Sequence, residues 1–183
     1  MGPARIAGWF RHSGFWGTLG VVVVVAAFMI VPQQLARLAP SHGAIKPGAV
    51  VRVGSFTYSP NASWIEDRGG SRRGTSSIIS KGGLQLGVLN DPASTPRQVY
   101  ARWANRWAQS PSTTVGQASE IKVRSGLVGL RGTIVSPAGQ GMLAAFATSA
   151  GGVIFIASSS TAVSPGTTAE LDAMIDSVKA APK

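Results

Sequence analysis

The chain has 183 residues, which fits one domain of ordinary size behind a short N-terminal segment. It contains no cysteine, and this excludes disulfides, thiolate metal sites and a lipid-modified N-terminal cysteine. Lysine and arginine outnumber aspartate and glutamate by 17 to 7, so the formal net charge is +10 and we expect attraction to anionic surfaces.

The first element in chain order is an apolar run from Phe15 to Val31 that carries no charged residue. As a helix, its 17 residues would span about 26 Å, close to a hydrocarbon core of about 30 Å. Arg5 and Arg11 precede the run, and this charge balance predicts a cytoplasmic N-terminus. The predicted organisation is a cytoplasmic tail at 1–12, a single transmembrane helix at 13–32, a tether at 33–48 and an extracytoplasmic domain at 49–183.

A cleaved signal peptide would have the same orientation as a retained anchor. Its apolar region is normally about 7–15 residues long, and a small-x-small cleavage site follows closely. Here Pro32 ends the run, and the small residues Ala36 and Ala39 are three positions apart with Arg37 between them. The segment 41–43 offers a poorer site further along. The sequence therefore favours a retained membrane anchor, with cleavage as the alternative.

The first half of the domain alternates between strand patterns and turns before one helix. Residues 49–59 alternate as a strand does, and 75–80 and 84–90 form a predicted hairpin around Lys81-Gly82-Gly83. A helix is predicted from Thr95, with Pro96 at its first position.

The second half predicts an antiparallel sheet closed by a helix. Four strands at 119–124, 126–136, 141–149 and 152–160 are separated by short turns, which imply antiparallel neighbours. A last helix is predicted to begin at a capping box formed by Thr167 and Glu170. We therefore predict an α+β domain with one antiparallel sheet and two covering helices.

The stretch "TYSPNASW", with Tyr58, Pro60 and Trp64, precedes this order of strands and helices. Over residues 49–181 the pattern resembles the PsbP-like fold, a family that includes the PsbP photosystem subunit and actinobacterial envelope lipoproteins of the LpqN type. The resemblance implies binding or accessory roles in membrane-associated assemblies rather than catalysis. This chain departs from the lipoprotein members because it has no cysteine, so its anchor would be the helix.

The domain is poor in groups that carry chemistry. His12 lies in the predicted tail and His42 in the predicted tether, so a Ser-His-Asp arrangement and a histidine zinc site are excluded from residues 49–183. The glycine-rich segment 67–74 lacks the lysine of a phosphate-binding loop, and a strand rather than a helix follows it. We predict no catalytic, cofactor-binding or metal-binding residue, and no enzyme.

Arginines carry the predicted contact surface. We expect a basic surface that contacts a partner envelope protein or an anionic lipid or polymer; its candidate residues are Arg68, Arg72 and Arg73 in a loop and Arg97, Arg102 and Arg106 on the first helix. Trp64 either closes one end of the core or lines a groove. Trp103 and Trp107 lie on the apolar helix face, so nucleic-acid binding is not expected.

Two other functions are open at this point. The first is a carrier of a lipid or other hydrophobic ligand, with residues 142–149 and 153–159 as the walls of its pocket. The second, and the least favoured, is an enzyme.

Overall fold

The computed structural model describes residues 42–110, 112–137 and 139–182. The predicted cytoplasmic tail, the predicted transmembrane helix and the predicted tether as far as residue 41 lie outside the described residues. Among the residues that are described, no helix is long and apolar enough to cross a bilayer.

Twelve strands and two helices are formed by the described residues. The strands are β1 (His42–Ala44), β2 (Val51–Val53), β3 (Phe56–Tyr58), β4 (Ile65–Asp67), β5 (Ser76–Lys81), β6 (Leu84–Asp91), β7 (Thr114–Val115), β8 (Ser119–Lys122), β9 (Val128–Ser136), β10 (Gly139–Thr148), β11 (Gly151–Ser159) and β12 (Lys179–Ala180). The helices are α1 (Pro96–Ala108) and α2 (Pro165–Asp176).

A nine-stranded sheet occupies the middle of the domain. Its order is β1-β4-β5-β6-β11-β10-β9-β7, with β8 also paired to β9, and all of these pairs are antiparallel. A second, three-stranded sheet has the order β12-β3-β2. The predicted antiparallel sheet with two helices is confirmed, and the small sheet is an addition to it.

Both faces of the large sheet are buried at its centre. On β10, Ala144 and Phe146 pack in the core that α2 and the small sheet cover, whereas Leu143 and Ala145 pack in the core that α1 covers. A strand that is buried on both faces has apolar residues at successive positions. This explains why β10 and β11 are continuous apolar runs without alternation.

Helix α1 begins as its sequence predicts. The Thr95 hydroxyl accepts the backbone N–H of Gln98 at 3.3 Å, and proline occupies the first turn, where its missing N–H costs nothing. Val99 and Tyr100 are buried against the large sheet, and Trp103 and Trp107 pack beside them.

Three local predictions differ from the structure. The single strand predicted over 49–59 is the hairpin β2–β3, because Gly54 adopts a left-handed φ of 58° and reverses the chain. The predicted tether overlaps β1, which pairs with β4 at the edge of the large sheet. The predicted capping box of α2 is wrong, because the helix starts earlier and the Ser164 hydroxyl accepts the N–H of Thr167 at 3.2 Å.

Candidate anion-binding surface

The outer face of the small sheet carries a row of basic side chains. Thr57 on β3 pairs with Arg52 on one side and Lys179 on the other, so the three residues share one face. The opposite face is apolar, with Phe56 and Tyr58 buried in the core. Because neighbouring strands lie about 4.8 Å apart, the Cα atoms of Arg52 and Lys179 lie about 10 Å from each other, and both residues are exposed.

A turn adds two more arginines next to this row. The N–H of Gly54 donates to the carbonyl of Gly74 at 2.8 Å, which holds the turn against the end of β2. Gly74 has a φ of 75°, a conformation that favours glycine. Arg72 and Arg73 immediately precede it, and both are exposed. We call Arg52, Arg72, Arg73 and Lys179 the basic row.

The charge of the basic row is uncompensated among the described residues. Four salt bridges there use four of the seven carboxylates of the chain, and none includes a member of the row. Of the remaining carboxylates, Asp67 accepts the N–H groups of Gly69 and Gly70 at 2.9 and 3.1 Å. The basic row therefore groups four exposed cations without a salt bridge on adjoining segments of the small sheet and its turn, where they can attract an anionic surface.

The three predicted arginines of α1 are placed differently. Arg102 forms an ion pair with the buried carboxylate of Asp91 at 2.9 Å, and Trp103 donates its indole N–H to the same carboxylate at 3.0 Å. The Arg106 guanidinium lies over the Trp103 ring, 4.9 Å from its centre. Arg97 borders a shallow cavity that Glu120 also lines. Because Arg102 and Arg106 already make internal contacts, the helix arginines are weaker candidates for partner contact.

Arg68 is separated from the rest of its loop. Its guanidinium lies across the backbone of Gly43 on β1, and it lines a cavity with Lys46 and Glu66. The structure thus divides the six predicted arginines into an exposed pair at the small sheet, a residue at the β1 edge and a helix group.

Trp64 is a core residue and does not line a groove. It is fully buried, and its indole N–H donates to the carboxylate of Glu170 at 2.9 Å. Lys81 donates to both oxygens of the same carboxylate at 2.7 and 2.8 Å and to the Ser63 hydroxyl at 2.8 Å. This cluster ties α2 to the β5–β6 turn and to the turn before β4.

The Ser63–Lys81 contact has the spacing of a nucleophile and a base, but its electrostatics are unsuitable. A lysine base must lose its proton, and Lys81 is held as a donor to a carboxylate. The hydrogen bonds from Lys81 and then from Trp64 lower the pKa of Glu170 below its ordinary 4.5. The cluster is therefore a structural clamp. Over the described ranges, no three His, Cys, Asp or Glu side chains come together as a metal site requires.

The walls expected for a hydrophobic carrier are packed into the core. Leu143, Ala145 and Ile154 are fully buried against Val99 and Tyr100 of α1. An open cavity of about 250 Å³ beside Trp107 is bordered mainly by glycine, serine and glutamine. The carrier function therefore has no supporting observation among the described residues.

This arrangement is that of the PsbP-like fold, an α+β domain with a large antiparallel sheet between two helices. The solved structure of the cyanobacterial PsbP protein CyanoP, from Synechocystis sp. PCC 6803, is similar to it with a TM-score of 0.50. The alignment covers 78% of this chain and 98% of that chain at 14% sequence identity. The sequence matches no protein-family model and no curated protein. At this identity the similarity establishes the fold.

Proposed function

We propose that the domain is a non-catalytic binding or accessory module that contacts an anionic envelope component or partner protein through the basic row. The observation that carries the proposal is that four exposed cations, none in a salt bridge among the described residues, lie on adjoining segments there, while Arg102 and Arg106 have internal partners. The PsbP-like fold is in keeping with this role, because the family that the chain resembles has binding or accessory roles.

Location is part of the same proposal. The hydrophobicity of residues 13–32 supports a single-pass anchor with the domain on the extracytoplasmic side. Kinship with the actinobacterial envelope proteins of this fold is proposed from the pattern of residues 49–181, although this chain lacks their lipoprotein cysteine. In intact cells, a tag after residue 183 should be digested by external protease; protection of the tag would contradict this topology.

Vesicle co-sedimentation tests the basic row. The compact unit that begins at Ser41 should bind phosphatidylglycerol vesicles, should ignore phosphatidylcholine vesicles, and should dissociate as ionic strength rises from about 0.05 to 0.5 M. Each cation near an anionic bilayer contributes about 1 kcal/mol. Replacing Arg52, Arg73 and Lys179 together by glutamine should therefore weaken binding about 100-fold.

A second triple variant separates surface location from total charge. Replacing Arg97, Arg106 and Lys122 by glutamine removes the same charge from exposed positions outside the basic row. We expect it to weaken binding by less than about fivefold, in line with a loss of long-range attraction alone. Equal losses in the two triples would show that net charge, and not the basic row, determines binding.

A further inference from the structure

A cavity at the β1 edge of the large sheet contains charges of both signs. It has a volume of about 250 Å³ and lies between the segment that follows β1 and strands β4 and β5. We call it the edge cavity; its polar lining is Lys46, Glu66, Arg68 and Ser77, and its apolar lining includes Ile45, Val51 and Ile79.

The sheet register places two of these charges on one face. Gly43, Glu66 and Ile79 form a cross-strand row, and the side chain of Ile79 is buried in the core on this face. Arg68 follows Glu66 by two residues, and a Cβ at Gly43 would lie 2.5–2.7 Å from three atoms of its guanidinium. The bare glycine backbone is therefore what allows Arg68 to lie over β1 beside the cavity.

The opposite charges of the edge cavity form no direct ion pair. In the described part of the chain, Lys46, Glu66 and Arg68 take part in no salt bridge within 4.0 Å. All three residues line the same cavity. A ligand with an anionic and a cationic end would bridge the gap, since each end would meet its opposite charge.

A buried hydroxyl group is also part of the cavity lining. Ser77 is 1% exposed, and its Oγ lies 2.8 Å from the hydroxyl of Tyr58, which is equally buried. Burial raises the pKa of Tyr58 to about 12, so this phenol keeps its proton at neutral pH. When Tyr58 donates to Ser77, the Ser77 proton is free to be donated into the cavity.

We propose that the edge cavity binds a small zwitterion, with its carboxylate or phosphate between Lys46 and Arg68 and its ammonium group at Glu66. The Ser77 hydroxyl donates to the anionic end. The volume of about 250 Å³ is slightly below the range of drug-sized pockets, which is about 300–1,000 Å³, so the ligand is an amino acid or a phosphoethanolamine-sized group. The site is separate from the basic row and does not depend on the proposed function.

Calorimetric titration of the full chain in uncharged maltoside micelles tests this inference. Glycine and O-phosphoethanolamine each carry both ends, whereas acetate, phosphate and ethylammonium carry one. Because each end contributes charge-assisted hydrogen bonds, we expect glycine and O-phosphoethanolamine each to bind about tenfold tighter than the probes that carry only one of the two charges. Phosphatidylethanolamine mixed into the micelles should compete if the ligand is a lipid headgroup and should not compete if it is a free molecule.

Three variants assign the ends of the ligand. Glu66→Gln should weaken glycine binding about tenfold and leave acetate binding unchanged or tighter. Gly43→Ala keeps every charge but displaces the Arg68 guanidinium, so it should weaken glycine and acetate alike. Lys122→Gln removes an exposed charge that belongs neither to the cavity lining nor to the basic row, and it should leave glycine binding unchanged. Thermal melting of each variant verifies that the domain remains folded.

The proposal fails if acetate binds as tightly as glycine, or if Glu66→Gln leaves glycine binding unchanged in a folded protein. It also fails if none of the probes produces heat at about 10 mM, a concentration at which even weak fragments of this size bind detectably.

Discussion

The carboxylate of Asp91 connects the large sheet to α1, and its removal should have a measurable cost. The side chain is 3% exposed and accepts the N–H of Ala93 at 2.8 Å, the guanidinium of Arg102 at 2.9 Å and the indole N–H of Trp103 at 3.0 Å. In Asp91→Ala, the N–H of Ala93 and the indole N–H of Trp103 lose their acceptor in buried or partly buried positions. The half-exposed Arg102 can instead donate to water.

The magnitude follows from those three donors. Each buried donor left unsatisfied costs about 1–3 kcal/mol, and the ion pair with a half-exposed arginine adds about 0–1 kcal/mol. We therefore expect Asp91→Ala to lower the free energy of unfolding by about 2–7 kcal/mol. With a urea dependence of about 2 kcal/mol per molar, the unfolding midpoint should fall by about 1–3.5 M.

Urea unfolding followed by tryptophan fluorescence measures this shift. Asp91→Asn keeps one acceptor oxygen and should give an intermediate loss. Glu120→Ala removes an exposed carboxylate that takes part in no salt bridge within the described ranges, so it should stay within about 0.5 kcal/mol of the parent. If Asp91→Ala matched Glu120→Ala, the contacts of Asp91 would contribute nothing net to stability.

Three further results are expected. Burial raises the pKa of both tyrosines of the chain, Tyr58 to about 12 and Tyr100 above its ordinary 10. Absorbance at 295 nm should therefore show tyrosine ionisation above pH 10, and the stability that depends on the protonated tyrosines is complete below pH 10 and lost as pH rises toward 12. Hydrogen bonds from Lys81 and then from Trp64 lower the pKa of Glu170. The stability that the ionised Glu170 contributes is therefore complete above pH 4.5 and lost on further acidification. Glu170→Gln should reduce the fall of the urea midpoint at acid pH. Gly132→Ala should cost about 1–3 kcal/mol in urea unfolding, because its Cβ would overlap the Tyr100 hydroxyl.

Each of these results has a control within the same chain. In urea, the tyrosines should titrate near their ordinary pKa; identical folded and unfolded curves would contradict the burial argument. An acid limb unchanged by Glu170→Gln would remove the clamp from the pH dependence. Gly166→Ala introduces a Cβ into open space, so its stability should remain close to that of the parent, and an equal loss at Gly132 and Gly166 would point to glycine replacement in general.

Local signals in the sequence predicted the parts of the fold that depend on neighbouring residues. The start of α1 is marked by a signal that spans only four residues, from Thr95 to Gln98. Short turns likewise define the strands β9 to β11. The small sheet could not be predicted in this way. Its strand β12 has two residues and pairs with β3 across more than a hundred residues, so no local pattern marks it.

The same distinction applies to the candidate surface. Arg52 occupies the outward position of an alternating strand, so the alternation could have identified it as exposed. Lys179 joins it only through the pairing of β12 with β3. From the sequence alone, Arg102 is predicted to be available to a partner. In the structure it donates to Asp91, which is eleven residues away across a strand-to-helix connection. Trp64 likewise found its acceptor on α2, 106 residues later.

The adjacency of β6 and β11 has a consequence for synthesis. These two strands form the junction between the first strands of the large sheet and the β9–β11 meander, and they pair from Leu84–Ser159 to Asp91–Gly152. A chain that emerges N-terminus first therefore presents one edge of β6, with its unpaired peptide groups, until residue 159 has been made. Such an edge is a template for wrong pairing. A nascent chain stalled before β11 should thus be the species most in need of a chaperone, whichever compartment receives it.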